Sequence, residues 1–235
     1  MVKQLKVAIM MSGSGSTARA IIKNQSELYK VVFLFSDNKQ SKIEEIAQEF
    51  NIPFEINDIK DFYKGKNAKL SDMNVRKEFD SHTKDLLVNN KIDVVALAGY
   101  MSLVTSVIHD NFITINSHPA DLAIIEDGKR KYIGSHAVLD CVQDGLKEIR
   151  TTIILVNAGV DAGPILVRSK PVKIPAGNDK RNIANRLQES LKELGDWPAY
   201  CKTLDLIAQK KLEIKNSKVL FEGRRLDLGY DLGAA

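Results

Sequence analysis

Short apolar runs alternate with amphipathic stretches from the start of the chain. Lys6–Met11 is apolar after its first residue, Ala18–Ile22 has helical spacing, and Val31–Phe35 is β-branched and aromatic, an opening that predicts a strand, a helix and a second strand. Between Ser41 and Phe50 the apolar positions Ile43, Ile46, Ala47 and Phe50 form a helical stripe, and Pro53–Ile56 suits a short strand. Val75–Val88 reads as a charged amphipathic helix. Ile92–Ala98 is nearly all apolar, as a strand covered on both faces of a parallel sheet must be, and Phe112–Asn116 predicts the next strand.

After residue 120 the character changes. A charged stretch at Glu126–Lys131 precedes a helix around His136–Asp144 and strands at Thr151–Val156 and Ile165–Val167. A helix over Asp179–Leu194 has Asn178 as its expected cap, Ile183, Leu187, Leu191 and Leu194 on one face, and Gly195 placed to stop it. Leu212–Phe221, broken at Asn216 and Ser217, reads as a closing hairpin.

The alternation predicts an α/β fold: a doubly wound, Rossmann-like, mostly parallel sheet flanked by helices, with a more β-rich C-terminal half. Without repeats or a flexible linker, residues 1–235 are expected to form a single domain, with 1–115 the Rossmann-like half and 116–235 the catalytic loop, C-terminal strands and helices. At 44% apolar and 27% charged, the 235 residues have an ordinary globular composition, which excludes a disordered or disulfide-stapled chain. Cys141 and Cys201 form no CxxC pair and have no metal-ligand spacing to the four histidines, so no metal and a reducing, cytoplasmic setting are expected. The N-terminal apolar run is too short for a membrane span. The net charge of +4 comes from lysines interleaved with acids, so neither a nucleic-acid nor a membrane partner is expected.

Three segments carry candidate chemistry. Ser12-Gly13-Ser14-Gly15-Ser16-Thr17 joins the first strand to the first helix, where free N–H groups and the positive helix end favour phosphate. Gly13, Gly15 and Ala18 also fit a dinucleotide fingerprint, with Asp37 lying 22 positions after Gly15, so a nicotinamide-dependent oxidoreductase stays open, as does a bare turn. In Asn116-Ser117-His118-Pro119 the first and third side chains share one strand face at a sheet edge, where an amide donor beside an imidazole suits a developing oxyanion. Asp161 lies in the turn Gly159-Val160-Asp161-Ala162-Gly163-Pro164 and is by itself an ordinary turn aspartate. His82, His109 and His136 read as exposed or helix-borne. No Gly-x-Ser-x-Gly elbow signals a covalent nucleophile.

Taken together, SGSGS after the first strand, LAGYMSLV at 97–104, NSHP at 116–119 and VDAGPIL at 160–166 resemble the folate-dependent glycinamide ribonucleotide formyltransferase (phosphoribosylglycinamide formyltransferase) family, in the family's order. The resemblance implies the formyltransferase fold and transfer of a formyl group from 10-formyltetrahydrofolate to the amine of glycinamide ribonucleotide in purine biosynthesis, by direct attack through a tetrahedral intermediate. It makes Asn116, His118 and Asp161 the catalytic trio, and assigns Gly15, Ser16, Thr17 and Glu193 to the ribonucleotide. Arg76, Met101, Ser102, Leu103, Val104 and Asn116 fall to the folate. It implies small-molecule partners, admits a homodimer and requires no metal.

Several positions depart from the family pattern. The segment after the histidine, ADLAIIEDGKRKYIGSH, is long and charged, and Asp161 follows His118 by 43 positions. Loop 120–135 is therefore where a different amine acceptor would be met, with Lys129, Arg130 and Lys131 as its expected contacts. Ser14 and Thr17 stand where asparagines are common, Ser102 replaces a basic residue, and Lys192-Glu193-Leu194 replaces a Gln-Glu-His run. The oxidoreductase reading leaves NSHP and VDAGP unexplained. A non-catalytic folate or nucleotide binder of the same fold would have no need of Asn116, His118 and Asp161.

Overall fold

A computed structural model of the chain describes residues 3–215 and 218–234, which cluster into two compact units meeting in sequence between Ile115 and Asn116. In the first unit β1 (Leu5–Met11), α1 (Ser16–Lys23), β2 (Tyr29–Ser36), α2 (Ile43–Phe50), β3 (Phe54–Ile56), α3 (Ile59–Gly65), α4 (Met73–Asn89), β4 (Val94–Leu97) and α5 (Ser106–His109) lead to β5 (Ile113–His118). The strands stand in the order 3-2-1-4-5, the doubly wound arrangement, with β1 parallel to β2 and β4, and β2 parallel to β3. Every residue of β4 is buried, as its unbroken apolar run demands.

Two of these helices are not signalled by apolar spacing. Asp58 caps α3 by accepting from the N–H groups of Lys60 and Asp61, both at 3.0 Å, and Thr105 caps the single turn of α5. In both cases a side-chain oxygen starts a helix too short to show a stripe.

The second unit contains β6 (Ile125–Glu126), β7 (Lys129–Arg130), α6 (Ala137–Gln143), β8 (Glu148–Ile149), β9 (Thr152–Leu155), β10 (Ile165–Arg168), β11 (Val172–Lys173), α7 (Lys180–Leu191), α8 (Trp197–Ala208), β12 (Leu212–Lys215), β13 (Lys218–Phe221), β14 (Arg224–Arg225) and β15 (Tyr230–Asp231). β10 runs antiparallel to β9 and parallel to β15, while β12, β13 and β14 form a small antiparallel sheet. The expected break of the closing hairpin, Asn216 and Ser217, lies outside the described residues. α6 and α7 pack around Ala137, Cys141, Leu187 and Leu191, and burial pushes the Cys141 thiol up to about 12. An apolar core cysteine is the result.

The expected end of α7 is corrected. Asp179, not Asn178, is its cap, accepting from Asn182 N–H at 3.0 Å. Gly195 does not stop the helix: a π-helical turn over Lys192–Asp196 carries it into α8. A Cβ on Gly195 would lie 2.4 Å from Thr151 Oγ1, so this glycine serves a close approach and not a stop signal.

Candidate active site

His118 ends β5, is 3% exposed, and has both ring nitrogens engaged within the second unit. Nδ1 lies 3.3 Å from Asp161 Oδ2, and Nε2 lies 2.7 Å from the backbone carbonyl of Tyr132. Both partners are acceptors, so an imidazolium, with an N–H on each nitrogen, satisfies both contacts at once.

Asp161 adopts a left-handed backbone, φ 50°, which aspartate tolerates better than most residues. Its carboxylate also accepts the Gly134 N–H at 2.9 Å. Burial pushes this carboxyl up, but the hydrogen bond and charge of His118, the Gly134 N–H and the charge of Arg130 outweigh it and hold the group below its usual range. Two residues before His118 on the same strand face, half-buried Asn116 makes no side-chain hydrogen bond among the described residues. An amide with free donors and an imidazole held by a carboxylate thus stand together.

The opposite face of β5 reveals a group that sequence reasoning missed. The Ser117 N–H donates to Tyr200 Oη at 2.9 Å, and the Ser117 hydroxyl bonds Asp196, which also accepts from Thr151 Oγ1 at 2.8 Å. Burial pushes the Asp196 carboxyl up to about 6, against the hydrogen bonds of Thr151 and Ser117 and the charges of Lys192 and His118. No spacing in the sequence marks Asp196, because the π turn that aims it looks like an ordinary helix end.

Loop 120–135 behaves differently from expectation. Of its three expected substrate contacts, Arg130 turns inward, its guanidinium donating to the carbonyls of Asp161 and, at 2.8 Å, Gly163. Lys131 pairs with Glu126 at 2.8 Å and with Asp144 at 2.9 Å, and only Lys129 is exposed.

In the first unit Gly15 caps α1 with φ 69°, and a Cβ there would lie 2.3 Å from Ile46 Cδ1, whereas a Cβ on Gly13 meets nothing. Ser16 is half-buried and Thr17 buried beside it. Asp37 is 3% exposed, and its carboxylate accepts the Ser12 hydroxyl at 2.5 Å and the Ser102 hydroxyl, while Ser12 Oγ accepts the Met101 N–H at 2.9 Å. The acid of the dinucleotide fingerprint is therefore spent fastening segment 101–104 and is closed to a ribose. That segment projects Met101, 84% exposed, and Leu103, 61% exposed, an apolar ridge.

Arg76 is buried, pairing with Asp80 at 3.2 Å, donating to Tyr100 Oη at 3.2 Å and stacking on Phe79. Asp80 in turn accepts the Thr105 N–H at 2.6 Å, so Arg76 braces the segment from within. Glu193 is exposed in the π turn of the second unit. His82 and His136 are exposed, on α4 and at the start of α6, and His109 closes α5. Among the described residues no group of three or more His, Cys, Asp or Glu side chains could hold a metal, and no helix is long and apolar enough to cross a membrane.

The chain belongs to the formyl transferase family, whose sequence profile matches residues 5–194, and the protein is a formyltransferase enzyme. It is 28% identical over 189 residues to a phosphoribosylglycinamide formyltransferase of Bacillus subtilis (strain 168), covering 78% of this chain and 87% of that one. To the enzyme of the same name from Mycobacterium tuberculosis (strain ATCC 25618 / H37Rv) it is 26% identical over 192 residues, 80% of each chain. Among solved structures, the phosphoribosylglycinamide formyltransferase from Coxiella burnetii shares the fold with a TM-score of 0.77 at 21% identity, covering 97% of this chain and 99% of that one. The one from Bacillus halodurans superimposes with a TM-score of 0.67 at 28% identity, covering 87% and 96%.

Proposed function

We propose that this chain transfers the formyl group of 10-formyltetrahydrofolate to the amine of glycinamide ribonucleotide, in purine biosynthesis in the cytoplasm, and that the whole chain acts as one formyltransferase domain. The observation that carries this reading is the His118–Asp161 contact at 3.3 Å beside the free amide of Asn116. In the transfer the substrate amine attacks the formyl carbon, the bond from that carbon to the folate nitrogen breaks, and the proton lost by the amine is gained by the folate nitrogen. Negative charge gathers on the formyl oxygen, where the Asn116 amide donates. The His118 Nε2 donor reaches that oxygen when the oxygen takes the place of the Tyr132 carbonyl. Asp161 holds the imidazolium and, through water, relays the proton.

Gly15, Ser16 and Thr17 at the positive end of α1 take the substrate phosphate, with Glu193 on the ribose. The ridge of Met101 and Leu103, with the backbone of Ser102 and Val104, takes the flat folate ring, and Arg76 supports it from inside. The protein acts as a homodimer or as a single chain. The deciding assay supplies 10-formyltetrahydrofolate with glycinamide ribonucleotide or with simpler amines. Formylation of the ribonucleotide supports the reading, and turnover confined to another amine overturns the acceptor.

A further inference from the structure

We infer that Arg130 is a positioning residue for the reaction: it clamps the turn that presents Asp161 to His118. The inference rests on the reading that this pair carries out the transfer.

The clamp is built from local sequence. Asp127 and Gly128 have φ 51° and 74°, both left-handed, and join β6 to β7 as the tight two-residue hairpin that Asp-Gly favours. The Ile125↔Arg130 register of this hairpin fixes where the Arg130 backbone lies, and its side chain is half-buried against the Asp161 turn. One guanidinium nitrogen donates to the Asp161 carbonyl and the other, at 2.8 Å, to the Gly163 carbonyl. Two donors in a rigid plane on two carbonyls fix an orientation that a lysine, with one rotating ammonium, cannot. Burial lowers the Arg130 pKa and the Asp161 carboxylate opposes that, yet a guanidinium stays protonated.

The far side of the turn is closed too. A Cβ on Gly163 would lie 1.6 Å from the Leu155 carbonyl oxygen, so the turn is pressed between β9 and the guanidinium. Held there, Asp161 keeps its left-handed backbone and its Oδ2 meets both His118 Nδ1 and the Gly134 N–H. The same loop supplies Gly134 and the Tyr132 carbonyl on Nε2. Loop 125–134 thus brackets the imidazole and the carboxylate together, and the Arg130 side chain ties it to the turn alongside the Gly134–Asp161 hydrogen bond.

The test compares the full-length protein with Arg130→Ala and Arg130→Lys in two measurements. One is the carboxyl titration of Asp161 by carbon NMR. The other is formyl transfer, with kcat, the KM for folate and the pH profile of kcat determined separately. Arg130→Ala is expected to raise the Asp161 pKa, lower kcat by about ten- to a hundredfold as the pair is misplaced, and leave the folate KM within about twofold. Arg130→Lys, which keeps the charge without the fork, should recover part of the titration and little of kcat. An Arg130→Ala variant with the parent's titration and kcat overturns the inference, and so does full rescue by lysine. Should the alanine variant fail to fold, the lysine variant decides on the same readouts. If the parent protein formylates no amine, the functional reading fails, while the Asp161 titration still tests the clamp.

Discussion

Thr151 donates its hydroxyl to the Asp196 carboxyl at 2.8 Å, and a Cβ on Gly195 would lie 2.4 Å from that same oxygen. The π turn that lets the backbone come so close brings a half-buried acid to Ser117, directly behind the strand end that carries Asn116 and His118. π turns gather at functional sites because one extra residue re-aims a side chain without ending the helix.

The Asp196 carboxyl, raised from 3.8 to about 6 mainly by burial, makes stability depend on pH. Between those values the folded chain binds more protons than the unfolded one, so the contribution of Asp196 declines as pH rises and is lost above about 6. Asp196→Asn is therefore expected to gain about 1–3 kcal/mol relative to the parent at pH 8 and nothing near pH 4, since a shift of one unit corresponds to about 1.4 kcal/mol. Denaturant unfolding at the two values measures this, and a gain equal at both would show that the raised carboxyl is not its source.

Asp161 moves the opposite way. Its carboxyl is held below 3.8, so it supports folding above that value, and the support is lost as pH falls through its lowered folded pKa. Asp161→Asn should remove this acid-side loss. The variant should also bind folate normally and lose about a hundredfold or more of kcat, the scale of a positioned proton-transfer group. His118→Ala should lose at least as much while its fold is retained. Parent-like turnover by either variant would remove the pair from the chemistry.

How far the sequence was legible follows from what each residue reports. β4, and β1 and β2 over Val7–Met11 and Phe33–Phe35, were legible because strand segments buried on both faces need apolar residues throughout. α3 and α5 were not, since their start rests on the single oxygens of Asp58 and Thr105. Arg130 and Lys131 look from the sequence like free cations awaiting a substrate. The Asp-Gly pair at 127–128 is the signal that turns this stretch into a hairpin and folds Arg130 inward. Asp196 carries no comparable signal, because a glycine that permits close packing and a glycine that stops a helix are the same letter.

The two glycines of the first turn separate geometry from fingerprint. Gly15 is left-handed, with Ile46 Cδ1 and Met11 Cε at 2.3 and 2.7 Å from a would-be Cβ, whereas Gly13 has open space. Gly15→Ala should cost about 1–3 kcal/mol, the left-handed penalty plus displacement of two side-chain ends, and Gly13→Ala should stay within about 0.5 kcal/mol. Thermal unfolding of the two variants measures the contrast. Equal losses would mean that Gly13 is also a required backbone position, as the dinucleotide fingerprint demands.

Ligand-dependent stability distinguishes the two anions that a helix N-terminus can take. A ligand that binds only the folded state at about a hundred times its Kd stabilises by roughly 2.7 kcal/mol, a readily measured rise in Tm. Glycinamide ribonucleotide should produce such a rise, because its single phosphate needs only the N–H groups that open α1. NADH should produce little, since recognition of its ribose needs a free acid at the end of β2, and the Asp37 carboxylate already accepts the hydroxyls of Ser12 and Ser102. Ser102→Ala sharpens the comparison by freeing one oxygen of Asp37 while leaving the turn between β1 and α1 unaltered. If the serine hydroxyls are what close Asp37, NADH stabilisation should grow in this variant relative to the parent. A large rise with NADH in the parent, with none from the ribonucleotide, would show that the turn takes a pyrophosphate and would overturn the assignment of Gly15, Ser16 and Thr17.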